Sequence, residues 1–236
     1  MSFLKTTAIQ AGSGVALTIL VAFPAIAGQE ASSFRQGLPG RRISGGTRSE
    51  CMAGSAPVVA LSPVTNVGET VSANPSIYFM VPETESAYPL EFSLRDSEGN
   101  RLYEKSLNTH ENQGVVGIQL PLQTLEANQD HRWYLSVVCD AQDPSQNDVL
   151  SGWLRQVEPE FAIDTSLDEA LFKDIDTSLE LALGYQEAGL WTDAIATVVE
   201  LREQYPTDVR VRRSWDQLLY ALEVDVVVEV PIAMSR

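Results

Sequence analysis

Chemistry-bearing side chains are scarce in this sequence. It holds two histidines and two cysteines, and its 16 Lys and Arg face 32 Asp and Glu, a net charge of −16. Each shortage excludes something. Neither His110 nor His131 stands at metal-ligand spacing from a cysteine or carboxylate, and no nucleophile is placed to complete a His-based triad. No catalytic residue, metal or cofactor is therefore assigned, and the chain is expected not to be an enzyme. Ser44-Gly-Gly-Thr47 is not followed by Lys and does not sit at a strand–helix junction, so it is no phosphate loop. An acidic surface repels nucleic acid and anionic membrane. The acidic stretch Asp140-Ala-Gln-Asp143-Pro-Ser-Gln-Asn147-Asp148 offers oxygens to a hard cation but lacks EF-hand spacing, and it reads as a solvated turn.

What is present begins with a targeting signal. Lys5, the apolar run from Val15 to Ile26 and the A-x-A pattern Ala25-Ile26-Ala27 mark residues 1–27 as a signal peptide cleaved after Ala27. The run is short for a membrane span, and no cysteine follows Ala27 to take a lipid. The mature chain is thus expected in the periplasm or secreted, without stable membrane insertion. In that setting Cys51 and Cys139 are a candidate disulfide closing a loop of about 87 residues, which the chain-entropy model values at roughly 4–5 kcal/mol. Two buried thiols are the alternative.

Residues 28–54 read as a Gly/Arg-rich linker or strap. Arg35, Arg41, Arg42 and Arg48 put a quarter of all basic residues in this one stretch. It is either a solvated tether or a strap lying on the protein's own acidic surface or on a partner. Pro39-Gly40 and Gly45-Gly46 permit the turns that following a surface requires.

Residues 55–160 carry short β-type runs broken by turns, at the spacing of a sandwich. The organising stretch is Asp130–Asp140, DHRWYLSVVCD. Trp133, Leu135 and Val137 make one apolar face and Tyr134, Ser136 and Val138 a mixed one. Leu90–Arg95 and Arg101–Leu107 flank a turn containing Gly99 and form a hairpin. Val58–Leu61, Glu69–Ala73, Ser76–Val81, Val115–Leu120 and Leu150–Val157 complete seven or eight strands. Gly114, Gly117 and Gly152 mark bulges or close approaches. A large aromatic on a central strand ahead of a cysteine points to an immunoglobulin-like antiparallel sandwich. Tyr78, Tyr88, Tyr103, Trp133 and Trp153 would serve a carbohydrate- or surface-binding sandwich if they lay outside the core.

From residue 161 the period becomes helical. Ser166-Leu-Asp-Glu169 is a capping box. LELALGYQEAGLWTDAIATVVELREQYP then resembles one tetratricopeptide repeat, with small Ala182 and Ala194 at the helix crossing, Tyr185 between the helices and Gly189 at the turn. Val211, Trp215, Leu218 and Leu222 line a further, capping helix. One repeat cannot bury its apolar face alone, so this module, residues 161–224, must pack on the sandwich or on a partner. Its candidate partner-binding residues are Tyr185, Trp191, Arg202, Arg210, Arg212 and Arg213. The apolar tail, 225–236, reads as an added edge strand, a frayed helix end or a donated strand.

Several motifs in order carry a family resemblance: PGRRISGGTR ahead of Cys51, YFMVP, EFSLRDSEGN, RWYLSVVCD, GWLRQVEP and AGLWTDAIATVVELR. Over about residues 35–222 the chain resembles the cyanobacterial exported family known as domain of unknown function 928. The resemblance implies an envelope or periplasmic setting and assigns no activity or functional residue. The expectation is α+β: a sandwich, then a helical hairpin with a cap, acting as a non-enzymatic protein-interaction module of the envelope.

Overall fold

The run SIYFMV has no polar alternation, and that sets the architecture. It forms β3, Ser76–Val81, and five of its six residues are buried. A strand buried on both faces needs cover on both sides. By contrast β7, Asp130–Val137, alternates buried and half-buried residues along its whole length, so only one of its faces is closed.

The structure is a computed structural model that describes residues 39–44, 56–158 and 174–224, and the backbone of 232–235. The other strands are β1 Val59–Ala60, β2 Val67–Thr70, β4 Pro89–Arg95, β5 Arg101–Asn108, β6 Gly114–Gln119 and β8 Asp148–Gln156. Three helices follow, α1 Ile175–Glu187, α2 Trp191–Gln204 and α3 Val209–Ala221, and then β9, Ile232–Ser235. The class is therefore α+β. One sheet has the order β1-β3-β6-β9 and the other β2-β8-β7-β4-β5. The pairings are antiparallel except β2 with β8 and β6 with β9. The organising strand is the middle strand of five, as its pattern implies. None of the described helices is long and apolar enough to cross a membrane.

The two sheets share one core. Phe79 of β3 meets Trp133 of β7 edge-on at 5.5 Å and Phe92 of β4 at 6.3 Å. Leu90, Leu94, Leu135, Val137, Leu150 and Leu154 fill the space around them. Gly117 and Gly152 are close approaches: a Cβ there would stand 2.7 Å from the Tyr78 ring and 2.3 Å from the Trp133 ring.

A second core lies on the other side of the four-stranded sheet. Val59, Leu61, Tyr78, Met80 and Val115 turn away from the sandwich and meet Ala182, Tyr185, Ala194, Ile195, Val198, Trp215, Leu218 and Leu222. The helices thus pack on the sheet. Asp174 caps α1 through the Thr177 N–H at 3.2 Å, and Asp208 caps α3 through the Arg210 N–H at 2.8 Å. Gly189, at φ +79°, makes the left-handed step after α1.

Among the expected boundaries that move, two do so for a plain physical reason. The organising strand stops at Val137 and does not reach Cys139, because the N–H groups of Cys139 and Asp140 go to the Asn147 side chain at 3.0 and 3.3 Å in place of a ladder. The second strand is Val67–Thr70 in place of Glu69–Ala73, because the Val71 N–H goes to the Asp193 carboxylate of α2. The signal peptide, the capping box Ser166–Glu169, Arg35, Arg48 and Cys51 lie outside the described residues.

The layering has a direct test. Met80→Lys places a charge on the outward face of β3, beneath the helices, and is expected to cost more than about 4 kcal/mol in urea unfolding. Glu91→Lys, on the outward face of β4 in the other sheet, is expected to stay within about 0.5 kcal/mol. Equal tolerance of both would mean that the helices do not cover β3.

Candidate functional site

Polar groups concentrate at the joint between the helices and the sheets. Asp193, in the first turn of α2, is buried. Its Oδ1 accepts from the Thr70 hydroxyl at 2.8 Å and its Oδ2 from the Val71 N–H at 3.0 Å, so a helix carboxylate closes the end of β2. Burial pushes this carboxyl up to about 6, against the opposing pull of the bonds from Thr70 and Val71. Beside the joint a cavity of about 20 Å³, lined by Leu61, Ser62, Tyr78, Trp133, Thr192 and Ile195 among others, has room for a single water.

The strap docks on the protein itself over residues 39–44. Arg41 pairs with Ser151 of β8 by backbone N–H to carbonyl bonds of 2.8 and 3.0 Å, and its guanidinium lies 3.6 Å from Asp148. The Trp153 indole N–H donates to the Pro39 carbonyl at 3.0 Å. Ile43 bridges Val59, and Ser44 Oγ accepts the Val58 N–H at 2.7 Å. Arg42 Nη1 donates to the Ser62 carbonyl at 2.7 Å and to the Leu222 carbonyl at 2.9 Å. Leu222 is the C-cap of α3, where orphan carbonyls and the helix dipole favour a cation. One guanidinium therefore ties strap, sheet and helix end together.

The candidate partner-binding residues separate. Tyr185 is buried in the joint, and Trp191 packs half-buried against the same core. The Arg202 guanidinium lies 4.4 Å from the Trp215 ring centroid. Arg210 is held by Asp208 at 2.8 Å and Asp176 at 2.7 Å. Arg212 and Arg213 are exposed on α3. The apolar sides of α1 and α2 are thus covered by the sheet and by α3, and the helices present the outer sides of α1 and α3 to solvent.

The aromatics proposed for surface binding do not form a platform. Tyr78 and Trp133 are core residues, and Tyr88 and Tyr103 pack against the core. Trp153 alone reaches the outer face. His131 is buried and locally used: its Nε2 accepts the Glu126 N–H at 3.2 Å, so its Nδ1 carries the proton toward the Gln129 carbonyl at 3.1 Å. In the acidic stretch, Asp143 caps the short 3₁₀ turn Pro144–Gln146 and Asp148 is buried beside Arg41. Cys139 is half-buried beyond the end of β7, and no free cysteine occurs among the described residues.

The pattern of single residues missed one group. On the outer face of the five-stranded sheet Arg95, Arg132, Tyr134 and Trp153 stand together. They come from three strands and meet only through register: Arg95 lies opposite Arg132, and Arg132 opposite Trp153. A signal existed in part, since both arginines fall on the mixed faces of their strands.

The chain belongs to the family described as Domain of Unknown Function (DUF928), whose profile matches residues 43–232. No curated protein matches it.

Two variants test the joint. Because the folded carboxyl of Asp193 titrates near 6, above its unfolded value of 3.8, the folded state binds more protons between those pH values. Its contribution is fully present below about pH 4 and is lost as pH rises through 6, a change on the order of 3 kcal/mol. Asp193→Asn should remove that slope from urea unfolding measured between pH 4 and 8; an unchanged slope would place the titration elsewhere. Arg42→Met should lower stability by about 1.5–3 kcal/mol and speed hydrogen exchange in the last turn of α3 ahead of the rest of the helix.

Proposed function

We propose that the protein is an exported, non-enzymatic protein-interaction module of the cell envelope, docking through the uncovered face of its five-stranded sheet. The layering carries this reading. The helices are spent on closing the four-stranded sheet, while the outer face of β4, β7 and β8 keeps half-buried arginines, aromatics and serines that no described helix or strand covers, the strap reaching it only at Trp153 through Pro39.

Export rests on the signal-like residues 1–27, and a periplasmic or secreted setting follows. A Cys51–Cys139 bridge is supported by the lack of any free cysteine among the described residues. An immunoglobulin-like reading of the sandwich is supported by β1-β3-β6 facing β8-β7-β4-β5, with β2 parallel to β8. A tetratricopeptide-like reading of α1 and α2 is supported by the fully buried Ala182 and Ala194, with Tyr185 packed between helix and sheet.

The test is site-specific photo-crosslinking in the intact envelope of the host. A photoreactive residue at Ser93 or Ser136, on the open sheet face, should yield a reproducible protein adduct. The same residue at Glu187, on the far helical side, should yield none. Absence of any protein adduct from the sheet face would overturn the reading.

A further inference from the structure

We infer that Arg95 and Arg132 form a docking site for carboxylates of an acidic peptide segment on a partner protein. The inference rests on the proposed role of the open sheet face and names the chemistry that face selects.

Register makes the site. The β4–β7 ladder sets Arg95 directly opposite Arg132. Both side chains point outward, since Leu94 and Trp133 beside them point into the core. Both guanidiniums lie over the Tyr134 ring, at 5.7 and 5.0 Å from its centroid, and that of Arg132 also lies 5.3 Å from Trp153. Like charges directly opposite on a sheet repel. The rings offset part of that repulsion.

Among the described residues nothing neutralises the pair. The Nε of each arginine is buried without a hydrogen-bond partner. Arg95 has one bond, from Nη1 to the Gly99 carbonyl at 3.3 Å. Among the described residues neither arginine is ion-paired. The chain nonetheless has twice as many acids as bases. The acids nearest along the strands are already engaged: Asp130 with Arg155, Glu104 with Arg101, and Asp96 with Asn100 inside its turn. Two uncompensated guanidinium forks side by side match carboxylates supplied from outside.

The rings decide the class of ligand. The Tyr134 ring is shared by two guanidiniums and the Trp153 ring serves one, so little ring face is left for stacking on a sugar. Recognition is by charge and fork geometry, which an extended peptide with Glu or Asp side chains supplies.

The test uses the mature full-length chain and a fluorescein-labelled ten-residue Glu-rich peptide, read by anisotropy. The wild type should bind, with affinity falling as salt rises. Arg95→Gln/Arg132→Gln should weaken binding at least about tenfold, and Arg212→Gln/Arg213→Gln should leave it unchanged. Arg132→Lys, which keeps the charge and loses the fork, should fall between, and thermal melts establish that each variant is folded. The inference is overturned by no binding to the wild type, by equal loss in both double variants, or by tighter competition from polygalacturonate than from the peptide. It is also overturned if the wild type sediments as a dimer that the Arg95→Gln/Arg132→Gln variant dissolves, which would make a second copy the occupant. Protein adducts at Ser93 together with unchanged peptide binding in that variant would sink this inference and leave the sheet-face reading standing. Peptide binding without adducts would sink that reading.

Discussion

The constraint on which the rest depends is the double-sided burial of β3 and β6. Ile77, Phe79, Val116 and Ile118 fill the sandwich, while Tyr78, Met80 and Val115 on the other face are equally buried. A sheet apolar on both faces cannot end a molecule in water, so the three helices are a structural layer. Each buried Leu, Ile or Met there is worth about 1.5–3 kcal/mol relative to exposure. The apolar face of the helices and the outer face of the four-stranded sheet are each incomplete alone, and both belong to one compact unit.

Apolar contact brings the layers together without fixing how they sit, and the polar joint supplies that register. Asp193 fits only if α2 begins beside Thr70 and Val71, and Arg42 fits only if α3 ends beside Ser62. A misplaced α2 would leave a buried carboxylate without donors, at a cost of several kcal/mol. The strap is therefore part of the fold over residues 39–44, as well as a charged segment.

Much of this was legible residue by residue. The alternation in DHRWYLSV marks a one-sided strand, and the absence of alternation in SIYFMV marks a two-sided one. Gly189 and the small Ala182 and Ala194 mark the helix turn and crossing. The strap's docking was one of two readings, and its arginines alone could not choose between them. What stayed hidden depends on partners distant in sequence. Asp193 in a first helical turn looks like an ordinary dipole partner, and its burial is created by β2, more than a hundred residues earlier. Arg95 and Arg132 look like unrelated surface charges until the β4–β7 register sets them opposite one another. The parallel pairing of β9 with β6 likewise selects one of three readings of the tail that local pattern left equal.

The treatment of the sheet edges sets the open face apart from most of them. Unpaired strand edges invite pairing with other chains and are commonly blunted. Here the short β1 is bridged by Ile43 of the strap, and the end of β2 is closed by Asp193. The edge of β6 is taken by the chain's own β9. The remaining long edge, β5, carries Arg101, Glu104 and Lys105 and meets β4 through an irregular register at Leu94/Arg95. Lys105 shares the inward side of the strand with Tyr103 and Leu107, a charge that a second strand would have to bury. With β1, β2 and β5 closed or blunted by these means and the four-stranded sheet under helices, the face of β4, β7 and β8 is the broad sheet surface that no described helix covers. That face, on a protein of net charge −16, is where two arginines stand without an ion-pair partner among the described residues. A strongly acidic chain disperses its own copies by repulsion, and an uncompensated basic pair on such a background selects acidic partners by contrast with everything around it.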